Sequence, residues 1–222
     1  MTTNPSITIV KNGPYLVSGN VPLEKEIAVT EVIYPVRWEK GEKYPPKEQY
    51  LLCRCGKSSK MPYCDGSHVK LTFDGTETAN THSFELQTEK ITGPGIDLAD
   101  IVELCSGARF CDVGGGTWLL TEKSDDPVAR QKAIQQTFDC PSGRLVAIDK
   151  DTGKSIEPFF EKSISETEDQ ATGISGPFWV KGGIPIESSV GPLYKIRNSV
   201  ALCRCGRSKN KPFCDGEHML KE

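Results

Sequence analysis

Six cysteines and two histidines form two clusters that have the same internal spacing. Each cluster has three cysteines and one histidine, which are Cys53, Cys55, Cys64 and His68 in the first and Cys203, Cys205, Cys214 and His218 in the second. One residue separates the first two cysteines, eight precede the third, and three precede the histidine. Because thiolates bind soft and borderline metals and imidazole suits iron or zinc, each set can hold an iron–sulfur cluster or a zinc ion.

The spacing favours a division of the four ligands between two metal ions. Cys64 and His68 are four residues apart, so one helical turn would present both to the same iron. Cys53 and Cys55 are two apart, and on an extended segment they lie on one face and can share the other iron.

Two other interpretations of these residues stay open at this point. A Cys₃His set can close a small fold around structural zinc, although zinc ribbons usually space their paired cysteines as Cys-x₂₋₄-Cys, which is wider than the spacing here. The cysteines could also be unligated core residues, but Gly- and Pro-interrupted segments offer little core in which to bury them.

The metal motif is part of an internal repeat. GPYLVSGNVPL at 13–23 aligns with GPFWVKGGIPI at 176–186, and LCRCGKSSKMPYCDGSH at 52–68 aligns with LCRCGRSKNKPFCDGEH at 202–218. Since the offset falls from 163 to 150 between these two alignments, the first copy holds 13 extra residues. We place them in the Pro- and charge-rich stretch WEKGEKYPPKEQ. In each copy, a strand, a Gly turn and a second apolar run predict a small β-hairpin.

Both motifs resemble the CDGSH iron–sulfur motif of mitoNEET and its relatives, Cys-x-Cys-x₂-Ser/Thr-x₃-Pro-x-Cys-Asp-Gly-x-His, at every fixed position. The resemblance implies that each motif holds a [2Fe–2S] cluster through three cysteines and one histidine, with the histidine on the outer iron. It also implies a β-rich intertwined pair of motifs, which is similar to the tandem branch of the family with both motifs in one chain.

Between the repeats, the sequence has a different character. IDLADIVEL at 96–104 and PVARQKAIQQTFD at 127–139 predict helices, the second with Asp126 as N-cap and Pro127 at its first position, and SISETEDQATG at 163–173 predicts a polar linker. The expected fold is therefore α+β. Two β-rich cluster-binding repeats at 1–79 and 166–222 form an intramolecular pseudo-twofold pair, and a small α+β ferredoxin-like module is inserted at 80–165.

Three cysteines lie in the inserted module. Cys105 and Cys111 are separated by five residues, and Cys140 precedes a proline. Bacterial-type ferredoxins use Cys-x₂-Cys-x₂-Cys and a Cys-Pro, so the segment is similar to divergent single-cluster ferredoxins in which Ala108 replaces the middle cysteine. Three thiolates could hold a [3Fe–4S] cluster. The interpretation we prefer is a degenerate module whose cysteines are core or turn residues.

Composition narrows the class of protein. A net charge of −3 over 222 residues gives no electrostatic reason to bind nucleic acid. We find no signal peptide and no long apolar segment, and cysteines clustered with histidines suit a reducing compartment. We therefore expect a soluble, cytoplasmic protein that has no membrane partner. A monomer containing an internal pseudo-dimer is the expected state.

The expected function is single-electron transfer, cluster transfer or redox sensing, with a redox partner or an apo iron–sulfur acceptor protein. Dinucleotide and phosphate-binding motifs are absent from the sequence, so we expect no enzyme activity. The alternatives are a structural zinc-binding interaction protein and an electron-transfer subunit of an oxidoreductase.

Residues near the ligands have predicted supporting roles. Arg54 and Arg204 either offset cluster charge or are solvated, and Ser58 and Ser208 bond sulfur or shape a turn. Asp65 and Asp215 are predicted N-caps of the turn that carries the histidine.

Glu217 precedes His218, and a nearby carboxylate favours imidazolium, so we expect the second cluster to be the more acid-labile. His82 is given no role.

Overall fold

The computed structural model describes residues 4–80 and 84–220. His82 lies outside the described residues. Within those ranges, no helix is both long and apolar enough to cross a lipid bilayer. None of the nine cysteines forms a disulfide.

The first repeat consists of strands and one short helix. Its elements are β1 (Ser6–Ile9), β2 (Tyr15–Ser18), β3 (Leu23–Glu31), β4 (Tyr34–Lys43), β5 (Gln49–Leu52) and α1 (Ser67–Lys70). The extra residues of this copy lengthen β3 and build β4, which pair as an antiparallel hairpin.

The insert combines a sheet with helices, as predicted. Its elements are α2 (Phe84–Gln87), β6 (Glu89–Thr92), β7 (Ile96–Asp100), two 3₁₀ segments (Val102–Leu104 and Phe110–Gly115), α3 (Thr117–Glu122), α4 (Pro127–Asp139), β8 (Leu145–Asp149) and β9 (Ser155–Ile156). The helix predicted at 127–139 is confirmed as α4. The predicted N-cap is confirmed too, because the Asp126 side chain accepts a hydrogen bond from the Val128 N–H.

The helix predicted at 96–104 is wrong. Ile96–Asp100 forms β7, which pairs with β6 on one side and β8 on the other. All five of its residues are buried, and the two aspartates have ion-pair partners, Asp97 with Lys150 and Asp100 with Arg144. Sheet pairing on both edges therefore overrides an apolar pattern that also suits a helix.

The second repeat contains β10 (Ser163–Asp169), β11 (Ile174–Lys181), β12 (Ile186–Glu187), β13 (Ser199–Leu202) and a 3₁₀ turn (Glu217–Met219). The linker predicted at 163–173 is wrong over 163–169, because this polar stretch is the middle strand of a five-stranded sheet. Two of its buried polar side chains, those of Glu166 and Thr167, have hydrogen-bond partners, whereas Ser165 Oγ has none among the described residues. Glu166 is 3% exposed and pairs with Arg204.

The two repeats exchange strands. One sheet has the order β12-β1-β2-β5 and contains one strand of the second repeat, whereas the other has the order β13-β11-β10-β3-β4 and contains two strands of the first. Strand β3 runs parallel to β10, and β12 runs parallel to β1. The predicted hairpins of β2 with β3 and of β11 with β12 are therefore wrong: after the Gly turn, the chain crosses to the other sheet.

One hydrophobic core serves both repeats. It includes Tyr15 and Leu52 from the first repeat and Phe178 and Leu202 from the second, all 0% exposed. A smaller core lies under α4 in the insert. Strand β4 connects the modules, because Trp38 stacks on Phe110 of the insert with ring centroids 4.8 Å apart.

Candidate metal centres

The eight predicted ligands come together in four pairs. Cys53 Sγ lies 3.7 Å from Cys55 Sγ, and Cys64 Sγ lies 3.3 Å from His68 Nδ1. In the second repeat, the corresponding distances are 3.8 Å for Cys203 and Cys205 and 3.4 Å for Cys214 and His218. Two thiolates on one tetrahedral metal ion lie about 3.8 Å apart when each bond is about 2.3 Å long. Each pair is thus spaced to share one metal ion.

A short β-bridge brings the two halves of each motif together. Leu52 pairs with Tyr63, and Leu202 pairs with Phe213. Beside the first bridge, the Cys53 N–H donates to the Pro62 carbonyl at 2.8 Å, and the Cys64 N–H donates to the Leu51 carbonyl at 2.9 Å. The backbone ladder therefore fixes the separation of the cysteine pair from the third cysteine.

A tight turn carries each histidine back to the third cysteine. Gly66 and Gly216 have φ values of 87° and 83°, which favour glycine, and they occupy the N-cap positions that we predicted for the aspartates. Asp65 lies one residue earlier and still accepts a hydrogen bond from the Ser67 N–H at 3.0 Å. Asp215 does the same for the Glu217 N–H at 3.1 Å. The aspartates thus hold the first turn from outside the cap.

Ser58 and Ser208 have turn roles. The Ser58 hydroxyl donates to the Tyr63 carbonyl at 2.6 Å, and the Ser208 hydroxyl donates to the Phe213 carbonyl at 2.7 Å. Each hydroxyl also accepts a backbone N–H two residues later. Of the two roles predicted for these serines, the contacts show the turn.

The ligand pairs of the two repeats meet at a close contact. A Cβ on Gly56 would lie 2.5 Å from the Cys205 carbonyl oxygen, and one on Gly206 would lie 2.7 Å from that of Cys55. These reciprocal contacts, between residues at equivalent positions, are those expected near a pseudo-twofold axis. Glycine is required at both positions because a side chain would collide with backbone.

The ligands fit a two-iron group better than a single ion. Among residues 4–80 and 84–220, no three Cys, His, Asp or Glu side chains surround a common point where one metal ion could bind. A [2Fe–2S] cluster needs two ligands at each of two irons, and the paired arrangement matches that need. A mononuclear Cys₃His zinc site would require four converging ligands.

Family comparisons assign all three parts of the chain. Residues 12–69 and 175–219 match the family described as the iron-binding zinc finger, CDGSH type. Residues 91–150, between them, match the family described as the divergent 4Fe-4S mono-cluster. The chain thus contains two CDGSH-type iron-binding segments on either side of a divergent 4Fe-4S segment. No curated protein and no solved structure matches it.

Burial affects the thiols of both CDGSH sites. It raises the pKa of the Cys55, Cys64 and Cys214 thiols. Between Cys203 and Cys205, the hydrogen bond that they share raises the pKa of Cys203 and lowers that of Cys205 to about 6. Metal binding requires thiolates, so loading these sites releases protons.

The candidate histidine ligand of the second CDGSH site, His218, lies in a buried environment near two arginines. Burial lowers the pKa of His218 to about 4, and the charges of Arg204 and Arg207 act in the same direction. The Glu217 carboxylate lies 3.5 Å from Lys209 Nζ. Glu217 is not among the causes of the lowered pKa of His218, and the sequence-based expectation that it makes this site the more acid-labile stays a prediction.

The insert contacts the second CDGSH site. A Cβ on Gly216 would lie 3.1 Å from the Cys105 carbonyl oxygen, and one on Gly107 would lie 2.8 Å from Met219 Cγ. Cys105, Cys111 and Cys140 are all partly buried. Burial raises the pKa of Cys111 to about 12, and the other two thiols are among the smaller causes.

Buried arginines accompany both cysteine pairs. Arg54 is 1% exposed and Arg204 is 4% exposed. Of the two alternatives predicted for these arginines, the solvated surface position is therefore excluded. Arg204 pairs with Glu166 and Glu168 of β10. These glutamates lie in the polar stretch whose composition predicts a linker, so no local pattern identifies them as partners of the arginine.

Proposed function

We propose that the protein transfers single electrons through two [2Fe–2S] clusters, one on Cys53, Cys55, Cys64 and His68 and the other on Cys203, Cys205, Cys214 and His218. The paired ligand distances of 3.3–3.8 Å in both repeats carry this proposal. A bound [2Fe–2S] cluster supplies a site that accepts and returns one electron.

The chain's own residues favour an intermediate reduction potential. Replacing one of four thiolates by neutral imidazole removes negative charge from the oxidised site. The potential should then lie above those of plant-type ferredoxins and below those of Rieske centres with two histidines. The partner is a redox protein, and the proposed state is a cytoplasmic monomer without enzyme activity.

A second candidate function is transfer of a cluster to an apo acceptor protein. It is favoured by the position of His68 on α1, a single turn that has no buried residue. The neighbouring Val69 is 71% exposed, so an acceptor could approach the outer ligand directly.

The test of electron transfer is a stoichiometric titration with dithionite under anaerobic conditions, followed by reoxidation with a one-electron acceptor. We expect about one electron per cluster and full recovery of the oxidised spectrum. Loss of the chromophore during one cycle, with its appearance in an added apo-ferredoxin, would instead favour cluster transfer.

The insert is tested separately. Under the two-cluster proposal, Cys111→Ser combined with Cys140→Ser leaves the iron content unchanged. A loss of about three irons would show that these thiols hold a third cluster, as three thiolates can in [3Fe–4S] sites.

A further inference from the structure

We propose that Glu166 and Ile9, which occupy equivalent positions in the two repeats, give the two sites unequal reduction potentials, so that the first electron resides at the Cys53 site. This inference rests on the proposed electron-transfer function. Strands β1 and β10 lie behind the ligands and differ in charge between the two repeats.

The register of the sheets establishes the equivalence. Tyr15 of β2 and Phe178 of β11 are aligned in the repeat. Tyr15 pairs with Ile9 on β1, and Phe178 pairs with Glu166 on β10. Ile9 is 1% exposed and Glu166 is 3% exposed, so an aliphatic side chain in one repeat replaces a buried carboxylate in the other.

The two arginines also occupy equivalent places. Arg54 Cζ lies 5.5 Å from the centroid of the Tyr15 ring, and Arg204 Cζ lies 5.7 Å from that of Phe178. Each follows the first cysteine of its pair. Their positive charges are therefore similarly placed relative to their own ligands.

Two carboxylates neutralise the Arg204 charge. Arg204 Nη1 forms a short ion pair with Glu166, and Nη2 lies 2.8 Å from Glu168 Oε1. The other oxygen of Glu166 accepts a hydrogen bond from the Tyr44 hydroxyl. Together, Arg204 and its two partners carry a net negative charge behind the second site.

Arg54 has no such partner. Its Nη2 donates to the Gly75 carbonyl at 2.6 Å, and no ion pair of Arg54 occurs among the described residues. Within the same ranges, Nε and Nη1 are buried and have no hydrogen-bond partner. Asp74, the acidic residue next to Gly75, forms no ion pair with Arg54, and its carboxylate accepts hydrogen bonds from the Thr76 N–H and hydroxyl.

The motifs themselves do not create the difference. Three basic and one acidic residue in the first motif have the same net charge as four basic and two acidic residues in the second. They are Arg54, Lys57, Lys60 and Asp65 in the first, and Arg204, Arg207, Lys209, Lys211, Asp215 and Glu217 in the second. Behind the ligands, the two repeats differ in charge between β1, which has the aliphatic Ile9, and β10, which has the carboxylate of Glu166.

The sign of the effect follows from charge. Reduction adds one negative charge to a site that already has three thiolates, and an uncompensated cation stabilises that state. The first site therefore has the higher potential, and the carboxylates near Arg204 lower the potential of the second. One electron passes from the reduced second site to the oxidised first site, with no bond made or broken.

Single-cluster variants measure the difference. Cys203→Ser with Cys205→Ser leaves the first site, and Cys53→Ser with Cys55→Ser leaves the second. Each is titrated with dithionite and mediators and followed by absorption and EPR. We expect the first site to prefer the electron by at least tenfold, which is about 59 mV for a one-electron couple. Equal midpoints or the reverse order would overturn the inference.

Substitutions then test the residues. Glu166→Gln, which keeps a hydrogen-bonding side chain, should raise the midpoint of the second site, whereas Glu39→Gln on exposed β4 should not. Ile9→Glu should lower the midpoint of the first site, with Ile9→Gln as its neutral control. If Ile9→Glu does not fold, Glu166→Gln decides, and an unchanged midpoint refutes the assignment.

Iron and sulfide are measured on every sample. Absence of clusters refutes the proposed function, whereas clusters of equal potential refute only this inference.

Discussion

The Tyr15 hydroxyl, in the first repeat, donates a hydrogen bond to the backbone carbonyl of Cys203, a ligand-position residue of the second repeat, at 2.9 Å. The same hydroxyl lies 3.1 Å from the Pro212 carbonyl. Phe178 occupies the equivalent position in the second repeat and has no hydroxyl, so this polar contact exists on one side of the pair only.

Removing this contact should weaken the second site selectively. Tyr15→Phe keeps the ring and leaves the Cys203 carbonyl without this donor, at a cost of about 1 kcal/mol of stability. We expect faster loss of the second cluster in chemical denaturant, followed by absorption in single-cluster variants. Faster loss of the first cluster alone would contradict the structure.

The contact between the cysteine loops requires glycine. Gly56→Ala places a Cβ against the Cys205 carbonyl and should destabilise the protein by about 1–3 kcal/mol beyond the cost of its positive φ. Gly173→Ala is the matched control, because Gly173 has φ +68°, close to the +70° of Gly56, with nothing within 4 Å. Denaturant unfolding curves of both variants give the difference. Equal destabilisation would show that the loops do not meet.

Acid should remove the second cluster only at low pH. Burial lowers the pKa of His218 to about 4, so protons compete with iron for this imidazole well below its ordinary titration range. In the metal-free chain, the sign is the same. The unfolded state binds this proton first, so the neutral buried imidazole contributes stability that is lost as the pH falls from about 6.5 toward 4.

The measurement for this prediction is the absorption of the second-site variant between pH 7 and 4. Glu217→Gln should not shift the curve, because Glu217 is near Lys209 and is not a cause of the lowered pKa. A shift toward acid stability in that variant would instead support the role that the sequence suggests for Glu217.

Changing the histidine to a thiolate ligand should lower the potential. His68→Cys and His218→Cys add negative charge, which stabilises the oxidised state, and they remove the imidazole that protons attack. We expect each variant to keep its cluster, to have a lower midpoint and to resist acid. A higher midpoint, or loss of the cluster, would show that the fourth ligand is misassigned.

The pairing of the eight candidate ligands could be predicted from the sequence because identical spacing in two repeats specifies local geometry. Cys64 and His68 are four residues apart, and a single turn suffices to bring them together. The repeat also indicated a β-rich pair of modules, and Asp126 and Pro127 marked the start of α4.

Contacts between distant segments could not be predicted. Strand exchange depends on pairing of β3 with β10, and nothing local in either strand specifies that partner. Glu166 looked like linker because polar residues rarely fill a central strand, and its partner Arg204 is 38 residues away. Local pattern was also insufficient for Ile96–Asp100, where neighbouring strands on both edges decided the conformation.

The content of metal and acid-labile sulfide per chain tests the central claim most directly. It is measured on anaerobically purified wild type and on the two ligand-pair variants, Cys53→Ser with Cys55→Ser and Cys203→Ser with Cys205→Ser. Two [2Fe–2S] clusters predict that each variant loses about two irons and about two sulfides relative to wild type. One zinc per motif without sulfide, or iron that is unchanged in both variants, would contradict the account.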